Sequence, residues 1–276
     1  NSRHAAEWAV DQAIGRDVRI VVLATWTIPV IPSGAVPEMA TVVPPDWSEL
    51  ESDLQRSTEA IAAELRRDGV RVEAEVAQGP AAHVLIEASR QADLLVVGAR
   101  GLGRVKGFML GSVSHRCVSH GVTPTAVIPM EAGLGPARSV VVGYDGSANA
   151  KAATQWALQF AAPDASVSVI DALALAPWLP ADDVRRRFPD EVAASEAEFA
   201  AHMAEIDPDG RATHSLVIAD ARVALNEAAQ HDDLVVLGGR GRGRFKAMLL
   251  GSTTTWMLQG ATRATVVVPP AERPGH

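Results

Sequence analysis

The chain has 276 residues, enough for two domains at about 100 to 200 residues each, and 47% hydrophobic with 21% charged content excludes a disordered or collagen-like polypeptide. No run approaches about 18 uninterrupted apolar residues, residues 1–16 are amphipathic and charged rather than a signal peptide, and the lone cysteine, Cys117, cannot form an internal disulfide, which together point to the cytoplasm and away from a membrane. A net charge of −8 and a pI near 5.5 disfavour a nucleic-acid-binding surface.

From the N-terminus, residues 3–13 have a helical pattern and residues 18–26 read as a strand. Residues 27–46 hold Pro29, Pro32, Pro37, Pro44 and Pro45 and read as a long loop. A helix is predicted over 47–68, with Asp46 and Glu49 spaced as a capping box, then a strand over 70–76. A helix over 81–91 follows, with Pro80 at its first position after Gly79, then a strand over 94–98, a helix from Ser112 and a strand over 125–129. Residues 131–136 (EAGLGP) read as an interdomain linker, so the domains are predicted as 1–132 and 137–276. Strands at 139–144, 166–173, 213–217, 234–238 and 265–269 then alternate with helices at 149–161, within 184–205, at 221–231 and from Ser252. The strands are near-continuous apolar runs, as in parallel sheets covered on both faces, and the alternation implies two tandem doubly wound α/β domains.

The chain repeats itself. Residues 93–112 (DLLVVGARGLGRVKGFMLGS) match residues 233–252 (DLVVLGGRGRGRFKAMLLGS) at an offset of 140, and AAEWA at Ala5 matches ATQWA at Ala153 at an offset of 148. The eight-residue difference belongs to the proline-rich loop of repeat 1. Asn1 aligns with Asn149, so repeat 1 has no counterpart of the first strand, 139–144. The element order therefore leads to the expectation that about ten residues or more, carrying that strand, precede Asn1.

Both matched segments share the spacing G-x-x-G, nine residues, G-S: Gly98, Gly101, Gly111, Ser112 and Gly238, Gly241, Gly251, Ser252. Each starts at the C-terminal end of a predicted strand, where open α/β sheets bind ligands, and each leads into a helix whose first N–H groups are unpaired. Arg100, Arg104 and Lys106 in one, and Arg240, Arg242, Arg244 and Lys246 in the other, stand without an acidic residue. An acidic protein that twice concentrates positive charge beside glycines points to an anionic ligand, most simply a polyphosphate. A turn with a solvated basic face is the alternative, and duplication lowers its weight. The segment is neither a P-loop, G-x-x-x-x-G-K-[ST], nor the dinucleotide fingerprint that follows a first strand.

These residues resemble the universal stress protein family in its tandem two-domain form. Its ATP-binding members carry G-2x-G-9x-G-[ST] after the fourth strand; V-G-Y-D-G-S from Val142 and the last strands ending at Pro129 and Pro269 also match. The resemblance covers nearly the whole chain. It implies a five-stranded parallel sheet of order 3-2-1-4-5 in each domain and a pseudo-twofold axis between them. It also implies ATP as ligand, with Mg²⁺ held through the phosphates and no dedicated metal site. Gly98, Gly101, Gly238 and Gly241 would line ribose and phosphate, and Gly111, Ser112, Gly251 and Ser252 would hold the phosphates. Val113, Ser114, Thr253 and Thr254 would add donors, Asp145 would contact the adenosine, and Thr25 and Ala172 would offer backbone to adenine. Asp145 reads equally well as part of an Asp-Gly-Ser turn with Ser147 capping a helix.

His115 and His120 are spaced wrongly for a metal pair, Trp8 and Trp156 read as equivalent core anchors, and Cys117 reads as a buried hydrophobe. No nucleophile–base order stands out, which favours a nucleotide-dependent regulatory module in a stress response, with unidentified protein partners and at most slow ATP hydrolysis. An ATP-hydrolysing or adenylate-transferring enzyme is the alternative, although the Ser-Gly-Gly-type loop of adenylating relatives is replaced here by V-G-Y-D-G-S. The β-branched last strands are candidates to pair across the domain interface or across a dimer of tandem chains.

Overall fold

The computed structural model describes residues 2–28, 47–67, 69–99, 110–241 and 249–270. Repeat 1 comprises α1 (Ser2–Ala13), β1 (Arg19–Trp26), α2 (Trp47–Leu65), β2 (Arg71–Gln78), α3 (Ala81–Ser89), β3 (Leu95–Gly98), α4 (Ser112–His120) and β4 (Thr125–Ile128). Repeat 2 comprises β5 (Ser139–Tyr144), α5 (Ala148–Phe160), β6 (Ser166–Ala172), α6 (Ala181–Arg187), α7 (Pro189–Ile206), β7 (Thr213–Val217), α8 (Ala221–Ala228), β8 (Leu234–Gly238), α9 (Ser252–Gln259) and β9 (Ala264–Val268). The predicted alternation of strands and helices is present, and every residue of β4 and β9 is buried, as continuous β-branched runs require.

Three local expectations are corrected. The helix predicted within 184–205 is two helices, α6 and α7, separated at Phe188 with φ −132° and ψ 51°. Pro189 is the cause: it disfavours helical backbone in the residue before it and opens a new helix at its own position. Pro80 caps α3 instead of starting it; its ψ of 124° is extended, and its carbonyl accepts the Val84 N–H at 3.1 Å. Trp156 is only half-buried, stacked on Phe160 with centroids 4.6 Å apart, whereas Trp8 is 2% exposed. The Asp46 half of the expected capping box lies outside the described residues.

Repeat 2 forms the order β7-β6-β5-β8-β9, all parallel, which is 3-2-1-4-5. β9 then pairs antiparallel with β4, Thr125 opposite Val267 and Val127 opposite Thr265, so the sheet runs on into β4 and β3 as seven strands. The two last strands thus pair with each other across the domain interface, within the chain. β1 and β2 form a separate parallel pair. Repeat 1 therefore contains the 3-2 and 4-5 pairs of the pattern with no strand between them among the described residues.

The cores merge across the seam. On one face Ala5 and Trp8 of α1 join Ile128, Val140, Ala153 and Val266; on the other, Val97, Cys117 and Val118 join Leu250, Leu258 and Val267. The linker is pinned by α1 rather than loose. Gln12 donates to the Gly135 carbonyl at 2.8 Å and accepts the Ala137 N–H at 2.9 Å, and Asp11 accepts the Gly135 N–H at 2.7 Å. Gly135 has φ +105°, a conformation that favours glycine. No helix among the described residues is long and apolar enough to cross a membrane.

Candidate functional site

The site of repeat 2 forms where β5, β6 and β8 end. Parallel register places Gly143 opposite Leu237 on one side and Tyr144 opposite Asp171 on the other, so Asp145 leaves β5 between the ends of β8 and β6. The turn that follows has Gly146 at φ +74°, and an Asp145 carboxylate oxygen accepts the Ser147 N–H at 3.0 Å. Ser147 caps α5 by accepting the Ala150 N–H at 3.2 Å. The Asp-Gly-Ser turn is therefore present as a local structure. It also has a second face, because Gly241 packs against the Asp145 carboxylate so closely that a Cβ there would collide with it.

Gly238 lies equally close to α5: a Cβ would stand 2.9 Å from the Asn149 backbone carbon. Side chains from the start of α5 hold the glycine segment in place, with the Asn149 amide donating to the Arg240 carbonyl at 2.9 Å and the Ser147 hydroxyl reaching it at 3.4 Å. Sequence pattern alone does not mark Asn149 as a site residue, although it aligns with Asn1 in the repeat. Gly251 closes the arrangement, the position of its Cβ being 3.5 Å from the Gly241 nitrogen, while its own N–H donates to the Gly239 carbonyl at 2.9 Å.

Gly251 is also the N-cap of α9, with φ −67°, ψ 151° and no side-chain cap, unlike α5 and α8, which Ser147 and Asp220 cap. The first-turn N–H groups of Ser252, Thr253 and Thr254 therefore lie at the positive end of the helix without an intrahelical partner. Ser252 is exposed and Thr253 half-buried. Thr254 is buried, and its hydroxyl donates to the Gly238 carbonyl at 2.9 Å, so its side chain braces the segment and its backbone N–H is what it offers outward. Ala172, the last residue of β6, is half-buried beside this end of the sheet.

Repeat 1 has the same phosphate half. Gly111 caps α4 with φ −63° and ψ 153°, its N–H donates to the Ala99 carbonyl at 2.8 Å, and Ser112 and Val113 are exposed. Ser114 is buried, its hydroxyl 3.1 Å from the Ala99 carbonyl and 3.0 Å from that of Gly111, the bracing role of Thr254. Gly98 ends β3 half-buried, and Thr25 sits near the end of β1 opposite Ala77. Arg100, Gly101, Arg104, Lys106, Arg242, Arg244 and Lys246 lie outside the described residues; Arg240 is described, its Nε donating to the Leu249 carbonyl at 3.4 Å.

The remaining candidates sit apart from this geometry. Cys117 is fully buried in α4, and burial pushes its thiol up to about 11, the behaviour of a packed side chain. His115 and His120 are exposed, and His120 hydrogen-bonds the Arg116 carbonyl at 3.3 Å. Chemically, the arrangement in repeat 2 offers a carboxylate, a glycine-lined backbone surface and a helix terminus at one end of the sheet. That set suits a ligand with a polyol part at the carboxylate and an anionic part at the helix.

Comparison with known proteins follows the same division. The family model described as "Universal stress protein family" matches residues 1–129 and again 136–269. A universal stress protein of Mycolicibacterium smegmatis is 30% identical over 275 residues, 96% of this chain and 92% of the relative. One of Mycobacterium tuberculosis is 33% identical over 222 residues, 75% of this chain and 68% of the relative. The crystal structure of a universal stress protein from Archaeoglobus fulgidus superposes with a TM-score of 0.69 at 18% identity, covering 96% of this chain and 93% of that one, which shows a common fold.

Proposed function

This chain belongs to the universal stress protein family, and on that premise we propose that it is a cytoplasmic ATP-binding member, a regulatory module whose nucleotide occupancy alters its protein contacts in a stress response. The observation that carries this reading is the meeting of Asp145, Gly241 and Gly251 at the uncapped start of α9. In repeat 2 the N–H groups of Ser252, Thr253 and Thr254 hold phosphate oxygens, and Gly238 and Gly241 let the backbone approach ribose and phosphate. Asp145 accepts from the ribose hydroxyls, and Ala172 presents backbone to the base. Bound ATP supplies charge and a Mg²⁺ ion carried on its phosphates, for which few protein ligands are needed. In repeat 1, Gly98, Gly101, Gly111, Ser112, Val113 and Ser114 provide the phosphate half.

Chromatography of the small molecules released on acid denaturation, together with calorimetric titration of the emptied protein with MgATP, tests the reading. ATP in the supernatant, or saturable binding at repeat 2, is the expected result; an empty supernatant with no heat and no thermal shift on adding ATP overturns it. Turnover is separated from binding by comparing steady-state phosphate release with that of a Gly251→Lys, Ser252→Ala variant. Sustained release that the variant abolishes would instead make the protein an ATP-hydrolysing enzyme.

A further inference from the structure

We infer that Trp178 is the base platform of repeat 2: its indole stacks on the purine ring of the nucleotide and selects a base-bearing ligand over a bare phosphate chain. The inference rests on the nucleotide reading of that site and adds to it a residue that no motif marks.

In the order β7-β6-β5-β8-β9, the ends of β8, β5 and β6 lie side by side, neighbours about 4.8 Å apart. The start of α9 packs at the β8 end, where Gly251 meets Arg240 and Gly241, and Asp145 leaves the end of β5. A nucleotide with its phosphates at α9 and its ribose at Asp145 therefore carries its base onward, over the end of β6. The connection from Ala172 to α6, residues 173–180, starts there, and it presents the Trp178 ring 79% exposed.

That connection is built to hold the ring outward. The Leu173 N–H donates to the Val217 carbonyl at 2.8 Å, and the Leu179 N–H donates to the Ala176 carbonyl at 2.9 Å, closing a turn with Pro177 and Trp178 at its centre. Leu175, Ala176 and Leu179 pack inward with Val184 and Ile218. Pro177 fixes its own φ, and Ala176 holds φ +50° while only 8% exposed, the one non-glycine residue with positive φ among the described residues. Such backbone persists only where its surroundings enforce it, and it gathers at ligand clamps. Here the enforcement turns the leucines inward and leaves the largest side chain of the turn in solvent.

Repeat 1 shows the partner that a ring at this place takes. Its equivalent connection is bordered by Trp26, the last residue of β1, and Trp47, the first of α2, and the two indoles stack with centroids 6.0 Å and planes 18° apart. Trp178 has no ring partner among the described residues. Aromatic residues are 4% of the chain, yet three of its six tryptophans stand at this one type of connection. In repeat 1 the stack is internal; in repeat 2 the ring face is open to a planar ligand, and every base offers a π-face.

The test titrates the intact chain and its Trp178→Ala and Trp178→Phe variants with MgATP and with magnesium tripolyphosphate in a calorimeter. Trp178→Ala is expected to weaken MgATP binding at repeat 2 by about tenfold and to leave tripolyphosphate binding and thermal unfolding unchanged, while Trp178→Phe recovers most of the loss. Acrylamide quenching of the emission that the Phe variant lacks is expected to fall when MgATP is added and to stay constant with tripolyphosphate. MgATP binding that is equal in the wild-type and Ala chains overturns the inference and leaves the nucleotide reading standing. Equal weakening of both ligands overturns it as well, since Trp178 would then act by holding the fold. No binding of MgATP by the wild-type chain overturns both.

Discussion

Gly111 and Gly251 cap their helices with nearly the same backbone, φ −63° and ψ 153° against φ −67° and ψ 151°, and among the described residues the contact of such a glycine segment with an aspartate is seen at Gly241 and Asp145 of repeat 2. The two halves of the candidate pocket thus have different origins. The phosphate half is local: a glycine segment, a strand end and a helix start within about one βα unit, held by hydrogen bonds that both repeats make. The other half arrives from β5, far away in sequence, and repeat 1 has no described equivalent.

The largest expected effect tests whether the helix half of repeat 1 is as closed as that of repeat 2. Cys117, packed where repeat 2 places Met257, has its thiol pushed from 9.0 up to about 11 by burial. Labelling by a thiol reagent at pH 8 is expected to be slower than in the urea-unfolded chain by about a hundredfold or more from the thiolate fraction alone; fast labelling of the folded protein breaks the equivalence. The sign carries over to stability. The unfolded thiol ionises first, so the stability contribution is intact below about pH 9 and is lost as pH rises toward 11, and Cys117→Ala is expected to remove this dependence in alkaline urea titrations.

Next in size is nucleotide affinity. Gly241→Val forces a side chain into the Asp145 carboxylate and is expected to weaken MgATP binding at repeat 2 by about a hundredfold, near 2.7 kcal/mol, leaving any site in repeat 1 unchanged in calorimetry. Loss of both together would mean that the sites are not separable. Core truncation sharpens the contrast of the sheets: Val169→Ala is expected to cost about 2 kcal/mol, and Val21→Ala under about 1 kcal/mol, in denaturant unfolding. The smallest effect concerns the bottom of the sheets. Asp233 accepts from the Arg138 and Ser139 N–H groups and from the Ser139 hydroxyl at 2.9, 3.1 and 3.2 Å, tying β5 to β8. Its repeat 1 counterpart, Asp93, is exposed. Asp233→Ala is expected to cost about 1 kcal/mol and Asp93→Ala less than about 0.5 kcal/mol.

Much of this contrast is legible in the residues alone. The duplicated glycine spacing, helix starts at Ser112 and Ser252 and the unmatched first strand follow from local pattern and repeat arithmetic, while the strand order of repeat 2 follows from the family resemblance. Features that depend on distant contacts are not. Nothing in the spacing shows that Gln12 and Asp11 pin the linker, that Asn149 steadies Arg240, or that Trp156 is less buried than Trp8 in the equivalent helix. The break at Phe188 is different, since Pro189 announces it, and helical periodicity on both sides simply outweighs one residue in a long window.

The pairing of β4 with β9 has a consequence for how the protein behaves on dilution. In a pair of separate chains such a seam would form or dissolve with concentration. Here a short linker joins the partners, which sets an effective local concentration in the millimolar range whatever the amount of protein present. The two glycine segments therefore stay in fixed number and fixed relation at any expression level, so a change in the abundance of this chain alters how many paired units exist and not whether they are paired.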